Sequence, residues 1–386
     1  MAIHENFHET ITTKNKVLEG YQKLYFTHNL TPVFESENNH LTNKNTAINV
    51  SLFPSYLQPE FYKGSRLEVV KIPQKKITGY AILINKHNHL EAFFKAEYKK
   101  NFRANILRFV NRFETCFNAT YKLFYGHIAK ADYTFLMASL HTMLTHRFDQ
   151  RNDSNKVLKN WDTYLHTTFD LIQAKKASLF VIYHNTKPVH ICINHHFNNI
   201  LFVSVPSYDI DYAKFALGNI SLYKLLEWCI NNHYEVMDMA QGYLEYKRRW
   251  STLIYHFDHH ILYHKENKSA TFGAWIEMNK LHFKNFLKSM HVDTLIEQLK
   301  QRIKKQTAYQ ETLQYQLEDT QIMDTTGLKE ITEHSPIYPN LIKPINDFLY
   351  THKEQDATLK IVALKKEKEY LLQGQHASQK LIINKL

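Results

Sequence analysis

Three short runs of β-branched and aromatic residues stand close together in the middle of the chain: Ser178 to Tyr183, Val189 to His195 and Ile200 to Val205. They are separated only by Asn185-Thr186-Lys187-Pro188 and by Phe197-Asn198-Asn199, turn-forming connections of hairpin length, so they read as an antiparallel meander. The residues after the meander narrow the choice of fold. Past Pro206 the stretch Ser207 to Phe215 does not continue the strand pattern, and Gly218-Asn219 introduces a helix from Ile220 to Asn231. Leu222, Leu225, Leu226, Cys229 and Ile230 mark its apolar face. A strand, Tyr234 to Met239, comes at once, then a short segment Tyr243 to Trp250 and a long strand from Thr252 to Tyr263.

The flanks are organised more loosely. Residues 1–95 carry extended pieces at Ile48 to Phe53, Leu67 to Ile72 and Ile77 to Ile84, the last two flanking Pro73-Gln74-Lys75-Lys76, a hairpin signal. From Glu97 the period becomes helical: Phe102, Ile106, Phe109, Val110 and Phe113 share a face, and Lys99, Lys100, Arg103, Arg108 and Arg112 make the helix basic. A strand at Asn118 to Tyr125 and helices at Asp132 to Arg147 and Asn155 to Ala174 lead to the meander. Beyond Glu266 the chain turns helical again, with Trp275, Ile276, Leu281, Phe283, Phe286 and Leu287 suited to burial. Ile296, Leu299, Ile303, Leu313 and Leu317 nearly keep a heptad, but Gln306 and Gln310 interrupt it, which favours a packed helix over a coiled coil. Asp319 to Asn340 reads as a linker, and the tail ends in alternating runs near Leu359 to Leu364, Tyr370 to Leu372 and Leu381 to Ile383.

Composition excludes several classes. Hydrophobic residues at 44 % and aromatics at 13 % are enough for a large core, and 386 residues suggest two or three domains of about 100–200 residues each. Three cysteines, Cys116, Cys192 and Cys229, without CxxC spacing argue against a disulfide framework or a cysteine zinc site. No apolar run is long enough to span a membrane, and Met1 to Thr13 lacks a signal peptide's basic and apolar regions, so a cytoplasmic location is expected. The net charge of +11 rests mostly on lysine, whereas base readout and forked phosphate contacts favour arginine. Nucleic acid is therefore not the expected partner.

A glycine between sheet and helix lets a backbone approach a phosphate, because first-turn amides lack intrahelical partners and the helix dipole adds positive charge. Leu217, Gly218, Asn219, Ile220 and Ser221 supply that arrangement, with Asn219 or Ser221 as a plausible cap; an ordinary loop glycine is the competing reading. Around it stand Asp209 and Asp211, Phe215-Ala216-Leu217-Gly218, Asp238, Gly242, Tyr246-Lys247 and Trp250. This series, D-x-A-x-F-x-x-G, helix, D-x-x-x-G-x-x-x-Y-K-x-x-W, resembles the GNAT-type acyltransferases of the CelD and FemAB-like group, and the meander and the basic helix are similar to that group's hairpin and arginine-rich helix. The resemblance covers Lys95 to His264, most strongly Ser178 to Trp250.

It implies an α+β (α/β) GNAT fold: a mixed, mainly antiparallel sheet flanked by helices. Two tandem GNAT-like halves and a C-terminal helical and small β appendix complete that expectation. The boundaries expected are 1–95 for a partial first half, 96–265 for the acyltransferase domain, 266–335 for a helical segment and 336–386 for a small tail. The resemblance also implies acetyl-CoA or another acyl-CoA as co-substrate, no metal, and a small-molecule or sugar-like amine as acceptor. Residues 207–221 would receive the pyrophosphate, with Lys247 pairing a phosphate or Asp238, or else standing exposed, and the strands Ile200 to Val205 and Tyr234 to Met239 would splay to take the thioester. Asp238 is the candidate base or ammonium anchor, or else a turn cap; Tyr246 is the candidate proton donor to the thiolate, or else packs on Trp250. Gly242, Glu245, Trp250 and Arg103 are candidate substrate contacts. Departures from the family pattern are Gly218 standing alone in the phosphate loop, Leu217 at a position often proline, and His190 where a small residue is usual. A FemAB-like aminoacyltransferase using charged tRNA, with Arg103, Arg108 and Arg112 on the RNA, is the alternative within enzymes, and a non-catalytic scaffold the alternative outside them.

Two further constellations have residue types that could carry chemistry. His256, Asp258, His260 and His264 fall on alternate positions of the last long strand, a face that could ligate a divalent ion but more simply meets water or another domain, opposite a buried face of Tyr255, Phe257, Ile261 and Tyr263. Cys192 and His195, three apart on a strand, point to opposite faces and make an improbable nucleophile–base pair.

Overall fold

The computed structural model describes residues 2–14, 16–37, 39–62, 66–84, 87, 89–151, 156–242, 244–290 and 314–385. The chain begins β1 (Ile3–Asn6), α1 (Phe7–Thr12), β2 (Tyr21–Phe26), β3 (Pro32–Glu35), β4 (Ile48–Pro54), β5 (Leu57–Phe61) and β6 (Leu67–Leu83). Next come α2 (Leu90–Glu97), α3 (Lys100–Cys116), β7 (Ala119–Phe124), α4 (Lys130–Arg151), α5 (Lys156–Lys159) and α6 (Trp161–Gln173). The central run is β8 (Ala177–His184), β9 (Lys187–Phe197), β10 (Ile200–Tyr208), a 3-10 turn (Ile210–Phe215), α7 (Leu217–Asn231), β11 (Val236–Gln241), α8 (Glu245–Trp250) and β12 (Leu253–His264). After α9 (Lys268–Ser289) the last described part holds β13 (Gln314–Thr320), β14 (Lys329–Glu330), α10 (Tyr338–His352), β15 (Lys360–Ala363), β16 (Glu369–Gln373) and β17 (Ser378–Lys385).

The meander forms as its pattern predicts, β8, β9 and β10 pairing antiparallel. Its strands read as near-continuous apolar runs because both faces are covered. One face packs on α2, α3 and α7 through Phe180, Ile182, Cys192, Leu201 and Val203. The other packs on α4 and α6 through Leu179, Val181, Ile191, Ile193 and Val205. The full sheet has nine strands in the order β1-β4-β12-β6-β11-β10-β9-β8-β7, in which β1 with β4 and β10 with β11 are parallel and the remaining neighbours antiparallel. β6, from the first hundred residues, lies between β11 and β12, so a division at residue 95 passes through one hydrogen-bonded sheet.

Three local expectations are corrected. The segment around Pro73-Gln74-Lys75-Lys76 is no hairpin: β6 runs on, pairing Thr78 with His256 and Pro73 with Asp258, and the intervening residues bulge out with Lys76 at φ +62°. Turn chemistry and bulge chemistry share residue types, and the unbroken partner β12 decides between them. Leu317 lies in an extended segment, β13, where the heptad spacing expects helix; pairing with β17 outweighs the local period. The stretch expected as a linker holds strand β14 and the start of α10. The other expected heptad positions, Ile296 to Leu313, lie outside the described residues.

The C-terminal sheet, ordered β13-β17-β16-β15-β14, is not a loose tail. Leu341, Ile345, Phe348 and Leu349 of α10 share a core with α3 and α7. The carbonyl of Tyr350 accepts from Arg112, whose guanidinium also lies 5.0 Å over the Tyr350 ring. Asn346 Nδ2 donates to the Asp211 carbonyl at 3.0 Å, and Lys214 pairs with Asp347 at 3.0 Å, so α10 braces the loop leading into α7.

Candidate active site

β10 and β11 are parallel neighbours for three residue pairs only, Ile200 with Val236, Leu201 with Met237 and Phe202 with Asp238. Beyond that point each strand keeps to its outer neighbour. β10 stays with β9 after a register shift between Val203 and Val205, leaving Ser204 as a bulge, and β11 stays with β6 after a shift that puts Ala240 at φ +57°. The strands therefore part, as the resemblance to GNAT-type acyltransferases implies. A cavity of about 450 Å³ opens in the gap, lined by Val203, Ser204, Met239 and Gln241 of the strands, by Gly218, Asn219, Ser221 and Leu222 of α7, and by Arg147 of α4 from the other face of the sheet.

α7 begins after Ala216, which adopts the left-handed conformation at φ 54° and gives no side-chain cap. The amides of Leu217 and Gly218 lie ahead of the helix's hydrogen-bond ladder, whose first donors are Asn219 and Ile220 onto the Ala216 carbonyl. The side chains of Leu217 and Ile220 are fully buried in the core, and neither of these expected cofactor contacts lines the cavity; Gly218, Asn219 and Ser221 do. A methyl group built on Gly218 would meet no atom within 4 Å, so packing does not require glycine there; the free space is room for a ligand to approach the amides. Asn219 does not cap: its Oδ1 accepts from Trp250 Nε1 at 2.9 Å.

Lys247 reaches in from α8. Its ammonium donates to the carbonyls of Met239 at 2.6 Å and Gln241 at 2.8 Å, at the diverging end of β11. Burial holds its pKa below the ordinary lysine value, against the opposing pull of Asp238. Tyr246 lines the same cavity, and Gly242, at φ +139°, makes the turn that brings α8 back, with Lys247 Nζ 3.5 Å from where its Cβ would stand.

Asp238, expected as base, is in the right strand but turned away. It is 1 % exposed and lies outside the cavity lining. Its carboxylate accepts from the Tyr56 hydroxyl at 2.7 Å, the Tyr255 hydroxyl at 2.7 and 2.8 Å and the Ala240 amide at 2.6 Å. Burial raises its pKa, while these hydrogen bonds pull the other way. Strand alternation is the cause: Met237 and Met239 face α7, so Asp238 faces the N-terminal aromatic cluster. Trp250, expected to touch substrate, is a core residue with 0 % exposure, wedged against Phe94, Tyr98 and Phe102. Glu245 is exposed and pairs with Arg249 at 3.4 Å. Arg103 lines a separate groove with Leu90, Phe94, Lys100 and Tyr223.

Several lining residues carry little sequence signal. His190 is fully buried with neither ring nitrogen hydrogen-bonded, and burial, seconded by Arg147, lowers its pKa to about 3. Ser204 Oγ is 2.8 Å from His195 Nδ1, and the Arg147 guanidinium lies 4.7 Å over the Tyr208 ring. Of these only His190 is marked in the sequence, as a bulky residue in a place usually small. The histidine strand face does not assemble: a shift in pairing turns His260 inward to Tyr21 at 3.0 Å, His259 bonds Asn49 at 2.8 Å, and His256 stays exposed. Among the described residues no three His, Cys, Asp or Glu side chains gather as a metal site would require. Cys192 donates to Asn194 Oδ1 rather than meeting His195, and burial raises its pKa.

No curated protein matches the chain. Among solved structures it is similar to a conserved protein of unknown function from Bacteroides thetaiotaomicron VPI-5482, at 13 % identity over 56 % of this chain and 69 % of that one, TM-score 0.40. It is also similar to FemX, at 7 % identity over 55 % and 71 % with TM-score 0.38, and to L-PGS from Bacillus licheniformis, at 11 % over 59 % and 71 % with TM-score 0.34. The family model described as acetyltransferase (GNAT) domain matches residues 100–248, the stretch from α3 through α8 that holds the parted strands and the α7 amides, and the α+β fold built on it is of the GNAT type.

Proposed function

We propose that the chain is an acyl-CoA-dependent N-acyltransferase acting on the amine of a small or sugar-like molecule. The observation that supports this most is the cavity between β10 and β11, with the uncapped start of α7 and the open space over Gly218 on one side. The first-turn amides suit a pyrophosphate, and the gap between the strands suits the thioester reaching through the sheet. There the acceptor amine attacks the thioester carbonyl carbon, a C–N bond forms as the C–S bond breaks, the ammonium proton passes to a base, and the leaving thiolate takes a proton. Tyr246 borders the cavity as proton donor, and Lys247 fixes the carbonyls at the end of β11. Asp238, held by two tyrosine hydroxyls behind Ala240, acts as a positioning residue for that same strand end.

Isothermal titration with acetyl-CoA and with CoA tests the reading, together with hydrogen exchange across residues 207–221. Saturable heat and protection of that stretch are expected; no heat and no protection would overturn it. Turnover with aminoacyl-tRNA and none with any acyl-CoA would replace the donor while keeping the site.

A further inference from the structure

α9 packs on β12 and β6 with one face, formed by Ala270, Gly273, Ala274, Glu277 and Leu281. The opposite face carries Phe272, Trp275, Phe283, Phe286 and Met290, exposed by 62, 57, 62, 57 and 60 %. At 100° per residue these five fall in one stripe facing away from the sheet, about 27 Å long at 1.5 Å per residue. Residues the sequence marks for burial are thus mostly outside: of Trp275, Ile276, Leu281, Phe283, Phe286 and Leu287, only Leu281 is buried and Ile276 is half-buried. The four aromatic rings alone leave roughly 500 Å² of apolar surface in water, near the upper end of what a monomer tolerates in one patch.

The charges beside the stripe indicate its occupant. Lys268 of α9 and Lys75 of the adjoining β6 bulge are exposed beside it, and Lys280 and Lys284 are exposed on the helix flank between the stripe and the sheet, Lys280 lying 3.7 Å from Glu277. The helix's one acid, Glu277, is turned inward, 6 % exposed, and accepts from Asn49 at 3.0 Å. A second copy pairing stripe to stripe would set these lysines against each other with no exposed α9 acid to answer them. Aromatic side chains including a tryptophan, rimmed by lysines, are instead what a helix lying in a lipid headgroup layer presents. We infer that α9 docks the protein on an anionic lipid surface, its aromatic stripe entering the headgroup region and its lysines meeting the negative headgroups.

The test uses the full chain and vesicles of phosphatidylcholine, with and without about 30 % phosphatidylglycerol. Co-sedimentation with the anionic vesicles is expected, falling steeply as salt is raised and at least about tenfold weaker on the neutral ones. The triple variant Trp275→Ser, Phe283→Ser, Phe286→Ser, altered only at exposed positions, is expected to keep its thermal transition and lose binding by about tenfold or more. Lys280→Gln with Lys284→Gln leaves the stripe intact and is expected to weaken binding by about fivefold per lysine. No binding of the unaltered chain to anionic vesicles, or binding unchanged in the triple variant, would overturn the inference. So would a dimer in sedimentation velocity that the triple variant dissolves, without vesicle binding.

Discussion

Two glycines show opposite uses of the missing side chain. A Cβ on Gly79 would fall 2.2 Å from Cζ of Tyr255, so Gly79 exists to let that ring pass and reach Asp238. Gly79→Ala is expected to destabilise by about 1–3 kcal/mol, as overpacking does, measured by urea denaturation. Gly218 has no such neighbour, and Gly218→Ala replaces a glycine in a helix's first turn; stability is expected to hold or rise by up to about 1 kcal/mol while KM for acyl-CoA increases. A variant with unchanged KM would show that the space over Gly218 is not used. Asp238→Asn exchanges one acceptor oxygen for a donor against two donating hydroxyls, at an expected cost of about 1–3 kcal/mol. A positioning role further predicts that kcat falls without loss of a limb from the pH–rate profile, and loss of a limb would make the carboxylate the base. Asp238 and Gly218 stand out in the sequence because chemistry needs few residue types at such places. Tyr56 does not, being 182 positions from its partner.

At the scale of elements, α8 is a six-residue helix that serves two sites at once. Lys247 faces the cavity, while Trp250 locks the helix to α2 and α3, its carbonyl accepting from the Tyr98 hydroxyl at 2.6 Å. Trp250→Ala is expected to cost about 3–5 kcal/mol and to move Lys247 with it, so acyl-CoA affinity should fall with stability in the same titration series. The basic helix α3 also divides its charges: Arg112 binds the end of α10, leaving Arg103 in a groove and Arg108 over Phe109. Arg112→Ala is expected to raise hydrogen exchange across Tyr338–His352, and unchanged exchange there would mean that the shared apolar core alone holds α10. Helical and strand periods are readable wherever one partner layer imposes one face. They mislead at β6 and β13, where pairing with β12 and β17 overrides local turn or heptad preference.

For the whole molecule, buried histidine sets the acid limit. Desolvation lowers His8 and His259 to about 4 and His190, His195, His196 and His260 to about 3. Below the ordinary value of 6.5 the unfolded chain then binds more protons than the native one, so stability is lost as pH falls from about 6.5 toward 4, each histidine adding a slope of up to about 1.4 kcal/mol per pH unit. Asp211, raised to about 6 by burial and by Asp209, works in the opposite sense, as do Asp238 and Asp258, raised by burial: their contribution falls as pH rises through the carboxylate range, but they are three groups against six. Net loss of stability below pH 6.5 is expected in urea midpoints measured across pH, and a flat profile there would contradict it. The sequence by itself determined the meander, the glycine-led helix after it, the strand beyond that helix and the residue types lining their junction, because alternation, turn residues and helix starts are short-range properties. Only the tertiary structure decided which face of β11 Asp238 occupies, that Trp250 is core, that β6 enters the sheet between β11 and β12, and that α9 leaves its aromatic stripe in water. Each of these depends on a partner distant along the chain, and burial is a property of the pair.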